Sequence, residues 1–292
     1  MAPQARRQRC EGRLLVAPLS GFLIVLIGLP LVADLFYSVS KIGFENLRTP
    51  QFSGLQNYAR SLSDPEFWAA AWFSLRFGLL VGFLELAIGL TLAIFLAPLL
   101  SAHSWLMGIL MLPMMVAPAL VGLMYRLILH EFVGPAPYYL LEWFGYFPSF
   151  LGRGNAFWTL VVIETLQWTP FALLILYGAY AAIPSDLREA AALDGAHGFR
   201  RLMAIDLPLI LPTIGVTFFI RFIDSFRVFD NIYTLIGAGA GGSTTSMSIY
   251  IYEAFFKVGD IGLAVAASMV LLAASFAVLY AINRLTSRAA AT

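Results

Sequence analysis

The sequence predicts an all-α polytopic membrane protein with six transmembrane helices, and three observations predict it. Of its 292 residues, 60% are hydrophobic and only 12% charged, where a soluble domain carries about 25% charged residues. The apolar residues gather in six stretches, each of the length needed to cross a bilayer, for which about 20 residues suffice. Pro-, Gly- and charge-bearing connections separate these stretches. Lipid offers no hydrogen bonds to a backbone, so apolar spans of this length are read as helices.

The first span covers residues 14–37. Arg6, Arg7, Arg9 and Arg13 before it resemble the start of a signal peptide, but the run is long enough to span and no small-residue cleavage site follows, so it is expected to stay in place. Residues 1–13 then form an N-terminal tail, 14–285 the transmembrane domain and 286–292 a C-terminal tail. A polar connection, residues 41–66, leads to a second span over 72–96 that Pro98 is expected to close. The short link 99–104 leads into a third span over 105–129, interrupted by Pro113 and Pro118, an interruption that bundles tolerate where neighbours satisfy the freed carbonyls. The loop 130–155 is rich in aromatic residues, Pro and Gly, and a short interfacial helix is expected over 138–144. The fourth span covers 156–182, the fifth 212–235 and the sixth 261–285; a Gly-rich turn (237–242) and an amphipathic piece (250–256) separate the last two.

Lys and Arg in the flanks set the orientation. Arg6, Arg7, Arg9, Arg13, Arg188, Arg200, Arg201, Arg284 and Arg288 fall on the side of both termini; Lys41, Arg48, Arg60, Arg153 and Lys257 fall on the other, across longer loops. Both termini and the fourth-to-fifth connection are therefore expected on the cytoplasmic side. A net charge of +1 without a basic patch gives no reason to expect nucleic acid. The lone Cys10 has no disulfide partner, and His103, His130 and His197 stand far apart, so no metal site is expected. The turn at 237–242 lacks a following Lys-Ser/Thr and cannot be a phosphate-binding loop.

One connection differs from the rest. Residues 185–208 carry charge at both ends of an Ala-rich amphipathic pattern. Pro184 and Ser185 read as a helix start with Ser185 as N-cap. Gly195-Ala196-His197-Gly198 then breaks the helix, and Phe199, Leu202, Met203 and Leu207 begin a second apolar face. Two short helices joined by a Gly turn make a knob at a membrane surface, and Ala190, Ala191 and Ala192 keep one flank small enough for a partner's groove to approach. Glu189, Ala190, Ala191, Asp194, Gly195, Ile205, Leu207 and Pro208 stand at the spacing of the EAA loop of ABC importer permeases, and Asp194 before Gly195 resembles the carbohydrate-uptake branch.

Phe52 to Tyr58 (FSGLQNY), Asp64 to Trp68 (DPEFW) and Gln167 to Phe171 (QWTPF) are similar to segments of the same permeases. The chain departs from them in lacking basic residues in the second-to-third link and a Pro in the Gly-rich turn. The resemblance implies the type I permease fold of ABC importers, with the EAA loop coupling the fourth and fifth helices to an ATPase. It also implies a cell (inner) membrane location and several partners: a second homologous permease, two cytoplasmic ATPase subunits and an extracytoplasmic solute-binding protein. ATP would bind those ATPase subunits, so this chain is expected to have no cofactor and no catalytic residue. Glu189 would contact the ATPase cleft, Gly195 would permit the turn, and Leu207 and Pro208 would join the loop to the fifth helix.

Ionisable groups at membrane depth cost roughly 2.5–3.5 kcal/mol each on insertion scales, so each needs a reason. Arg221, Asp224 and Arg227 lie three residues apart on the fifth span, where Asp224 can pair with both arginines. They form either a self-neutralised packing cluster or a hydroxyl-binding wall for a sugar, polyol or related solute; the resemblance favours the wall. Asp230 and Asn231 are expected to be solvated. On the fourth span Glu164, Gln167 and Phe171 share a face with Trp168 beside it, an arrangement that suits either a helix contact or a stacked sugar ring. Pro170 is expected to loosen this helix, and Glu85 to pair with Arg76 or with a partner subunit. A rival reading is an ion-coupled secondary transporter using the charged fifth helix. Such folds show paired broken helices in two halves, and no second copy of the cluster is present.

Overall fold

The computed structural model describes residues 2–237 and 243–289, which divide into two compact units, one from residues 2–65 and 251–289 and the other from 66–237 and 243–250. The Gly-rich turn beyond Gly237 lies outside the described residues.

In the first unit, helix α1 (Ala2–Ser38) carries a span, Ala17–Ser38, that is largely exposed up to the buried Ser38 at its end. An exposed apolar surface of that length is what a lipid-facing helix presents. After it, strands β1 (Ser40–Lys41) and β2 (Gln51–Phe52) pair antiparallel with Ser40 opposite Phe52. Helix α2 (Gln56–Ser63) fastens this hairpin to the end of α1 through buried Asn57, whose Nδ2 donates to the Ser38 and Ser40 carbonyls at 3.0 and 2.8 Å. The Tyr58 hydroxyl donates to Ser38 Oγ at 2.8 Å. The FSGLQNY stretch therefore locks a bend.

The second unit begins with α3 (Pro65–Ala102) and continues through α4 (Trp105–Leu110), α5 (Leu112–Met115), α6 (Pro118–Ile128), α7 (Pro135–Phe144) and α8 (Ala156–Ala181). Helices α9 (Ser185–Leu193) and α10 (Gly198–Arg201) follow. A π-helical turn, Leu202–Asp206, then runs into α11 (Leu207–Phe226), and α12 (Asp230–Ile236) comes next. Helix α13 (Met247–Tyr252) and a second π-helical turn (Glu253–Lys257) lead to α14 (Ile261–Ala289), which packs on α1 in the first unit. The core of the second unit gathers Phe77 and Val81 of α3, Leu160 and Ile163 of α8, and Ile232 and Leu235 of α12.

Several expected bounds move, and the proline positions show why. Helix α3 starts earlier than residue 72 and continues through Pro98 to Ala102. Pro118 does break the third stretch: Val116 and Ala117 are extended, as a residue before proline prefers, and the freed Val116 carbonyl accepts from Gln167 Nε2 at 3.0 Å. Pro170 leaves α8 unbroken. The fifth stretch, expected as one helix to 235, stops at Phe226 and restarts at Asp230. The carbonyls exposed there are satisfied by hydroxyls, Ser248 to Arg227 at 2.8 Å and Ser246 to Val228 at 2.7 Å. Among the described residues, Ala17–Ser38, Pro65–Ala102, Ala156–Ala181 and Gly198–Ile236 are long and apolar enough to cross a membrane, and Pro118–Ile128 and Ile261–Ala277 are shorter apolar helices.

Close contact between α3 and α11 comes from glycine. A Cβ on Gly78 would lie 3.1–3.2 Å from the Phe222 and Phe226 backbone, and one on Gly82 would touch Phe222 at 3.5 Å. Small residues four apart let membrane helices approach backbone to backbone. That approach brings Glu85, one turn further along α3, against α11.

Candidate functional site

Arg221 is the centre of a buried polar cluster. Its Nε and Nη2 grip Glu85 at 2.5 and 3.1 Å, a two-pronged arrangement that matches guanidinium to carboxylate. Its Nη1 stands 3.4 Å from Asp224, and Glu164 lies 3.9 Å from Nη2. The Trp168 ring lies 4.7 Å and the Phe171 ring 5.8 Å from the guanidinium carbon, close enough for the cation to be held by the aromatic faces. Asp224 also accepts from Arg227 at 3.0 Å, so it bridges both arginines as the three-residue spacing allows. Asn231 Nδ2 donates to Glu164 at 2.5 Å and to Gln167 at 3.0 Å.

Several expectations change here. Asn231 is buried rather than solvated, because the break after Phe226 turns α12 back onto α8, whereas Asp230 is exposed. Glu85 pairs with Arg221 and not with Arg76, which sits 4.4 Å from the Phe157 ring centre instead. A cavity of ≈ 520 Å³ opens beside the cluster, lined by Glu164, Trp168, Arg221, Asp224 and Arg227 of the predicted residues and by Asp230 and Asn231. Its size is that of a small-molecule site. Gln167 faces a separate, more apolar cavity with Val116 and Tyr125, and Phe171 backs the arginine without lining the first cavity. The residues that sequence reasoning missed are Glu85 and Asn231 as members of one cluster. The Gly78–Gly82 spacing was the available signal for the first.

The other predicted site is the loop between α8 and α11. Ala191 is buried in α9, whereas Glu189, Ala190 and, at the helix end, Asp194 are exposed. Helix α9 begins at Ser185 with extended Pro184 before it; Ser185 does not cap the helix, and its hydroxyl stands 3.3 Å from Asp186. Gly195 has φ +74° and Gly198 +51°, the left-handed region in which glycine carries no steric penalty. The second helix is not a separate element, since α10 runs through the π-helical turn into α11; Ile205 and Leu207 are half-buried there and Pro208 is exposed. Leu193 and Phe199, 90% and 71% exposed, stand on either side of the turn.

Comparison with known proteins gives the family of the chain. The family described as "Binding-protein-dependent transport system inner membrane component" matches residues 11–290. The trehalose/maltose transport system permease protein MalF of Thermococcus litoralis is 34% identical over 279 residues, covering 94% of this chain and 93% of its own. The sn-glycerol-3-phosphate transport system permease protein UgpA of Salmonella typhimurium is 30% identical over 274 residues, covering 91% and 90%. Among solved structures, a chain of a bacterial ABC transporter involved in import of the acidic polysaccharide alginate superposes with a TM-score of 0.78 at 19% identity, covering 98% of this chain and 97% of that one, a likeness of fold. The chain belongs to the binding-protein-dependent transport system inner membrane component family: it is a membrane-spanning permease subunit of an ABC importer, and not an enzyme.

Proposed function

We propose that this chain forms half of the translocation path for a sugar, polyol or related polyhydroxylated solute, with the cavity beside Arg221 as part of that path. The observation that carries this reading is the convergence of Glu164, Trp168, Arg221, Asp224 and Arg227 on one cavity. Carboxylates, guanidinium groups and an indole face together hold a hydroxylated ring by hydrogen bonds and stacking. Each arginine lining the cavity is already paired with a carboxylate, which favours a neutral solute over a phosphate ester. The relative named for trehalose and maltose agrees with that chemistry, whereas the relative named for sn-glycerol-3-phosphate is named for a phosphate ester. The ion-coupled alternative has no support from the relatives, which are named as permeases of transport systems.

In this reading the six apolar stretches make six spans, both termini are cytoplasmic in the inner membrane, and residues 185–208 face the cytoplasm as the EAA loop. Glu189, Ala190, Ala191, Asp194 and Gly195 meet one of two ATPase subunits, while Ile205, Leu207 and Pro208 carry the movement into α11. A second, homologous permease completes the path and an extracytoplasmic binding protein delivers solute. ATP stays on the ATPase subunits, and closing their dimer tilts the permeases to receive the solute.

The test is uptake into proteoliposomes that hold the complete importer, with radiolabelled trehalose and maltose as probes and the binding protein supplied outside. Vanadate-sensitive uptake that falls in Trp168→Ala and Glu164→Gln supports the reading. Uptake unchanged in both variants would remove the cavity from the path.

A further inference from the structure

Asp206 is the one carboxylate of the loop region with no exposed surface, and nothing in the spacing of the EAA residues calls for it. It lies in the π-helical turn Leu202–Asp206, at the root of α11. Two cations stand beside it: Arg201 Nε donates to Oδ2 at 3.3 Å, and Arg188 Nε makes an ion pair with Oδ1 at 3.5 Å without a hydrogen bond. Arg188 belongs to α9, directly before Glu189. Its Nη2 donates to the Tyr180 carbonyl at 2.9 Å, and its guanidinium carbon lies 4.5 Å from the Tyr180 ring centre, in the last turn of α8. One carboxylate therefore ties together the helix that bears Glu189, the end of α8, the return helix α10 and the start of α11.

We propose that Asp206 is the joint of the coupling loop, a positioning residue that makes α9 move as one body with the ends of α8 and α11. This rests on the reading of the loop as the ATPase contact. Helix α9 contributes Ala191 as its buried residue, so packing alone holds it weakly. A buried carboxylate shared by two guanidiniums resists separation, because pulling either cation away leaves charge without a partner. A π-helical turn inside a helix is a frequent mark of a functional position. Here it sets Asp206 facing Arg188 while α11 continues beyond it. From Asp206 the helix carries displacement to Arg221, fifteen residues on, or about 22 Å at helical rise.

The experiment uses the complete importer in lipid nanodiscs, with Cys10→Ser and Phe229→Cys in this chain so that one thiol lies at the cavity. The readout is the rate at which a polar maleimide labels that thiol, with and without Mg-ATP and vanadate. In Asp206→Asn the nucleotide-dependent change in labelling is expected to shrink about tenfold, the scale on which residues along a coupling route act. Vanadate should still trap nucleotide on the ATPase subunits, and Asp206→Glu should restore most of the change. A merely structural Asp206 would lower the yield of assembled complex and leave the change per complex at the parent value, which would overturn the proposal. Equal deficiency in the Asn and Glu variants would overturn it too, since the charge would then not be the cause. A Gly195→Asp variant that responds like the parent would instead sink the coupling-loop reading beneath it.

Discussion

Replacing Arg221 by Met tests the energetics of the buried cluster. The side chain is 1% exposed and Glu85 is not exposed at all, so Arg221→Met leaves a carboxylate in the interior without its main partner. Breaking a buried pair from one side costs about 3–5 kcal/mol, which corresponds to a fall in melting temperature of roughly 6–20 °C for a domain of this size class. Glu85→Leu should cost less, because Arg221 keeps Asp224 at 3.4 Å and Glu164 at 3.9 Å. The double variant Glu85→Leu/Arg221→Met should recover at least half of the Arg221→Met loss. Glu164 then still has Asn231 and Asp224 still has Arg227, so no carboxylate of the cluster is stranded. Thermal unfolding of the purified chain in detergent, followed by size-exclusion chromatography after heating, measures all three variants. Additive losses in the double variant, or a Glu85→Leu loss equal to that of Arg221→Met, would refute the reasoning.

Further outcomes follow from single positions. Gly195→Asp places an L side chain at φ +74° with open space around it, a backbone cost of about 1–2 kcal/mol; immunoblotting should find it in the membrane, and solute uptake should be abolished. Gly78→Val would drive a side chain into the α11 backbone and should cost about 1–3 kcal/mol of thermal stability, as overpacking does; a stability equal to the parent would mean that the two helices do not rely on this approach. Trp168→Ala removes the aromatic face from both the cavity and Arg221, worth about 0.5–2 kcal/mol for the cation contact. Its uptake should show a raised KM with the protein still folded, and an unchanged KM would take the indole out of the solute site.

The sequence made the helices legible where local signals decide, and hid what depends on distant partners. Helix α8 ends at Ala181, within one residue of its expected bound, and Gly195 takes the turn conformation that its position required. Pro98, Pro118 and Pro170 look alike in a sequence, yet only Pro118 breaks its helix, where Gln167 Nε2 donates to the freed Val116 carbonyl. The carbonyls freed by the break after Phe226 are satisfied by Ser246 and Ser248, roughly twenty residues away, so nothing near Asp230 announces the break or the burial of Asn231. Glu85 meets Arg221 across 136 residues of sequence. Asp206 escaped notice because its two arginines acquire meaning only once α9 and α10 fold back on the same turn.

The most direct test of the account is purification of the tagged chain from its native membrane in mild detergent, with identification of the proteins that accompany it and an assay of vanadate-sensitive ATP hydrolysis. The account predicts an ATPase subunit and a second, related permease in the preparation, with hydrolysis, and loss of that ATPase subunit when residues of the Glu189 loop are removed. A chain that emerges alone or as copies of itself, without ATP hydrolysis, would contradict it.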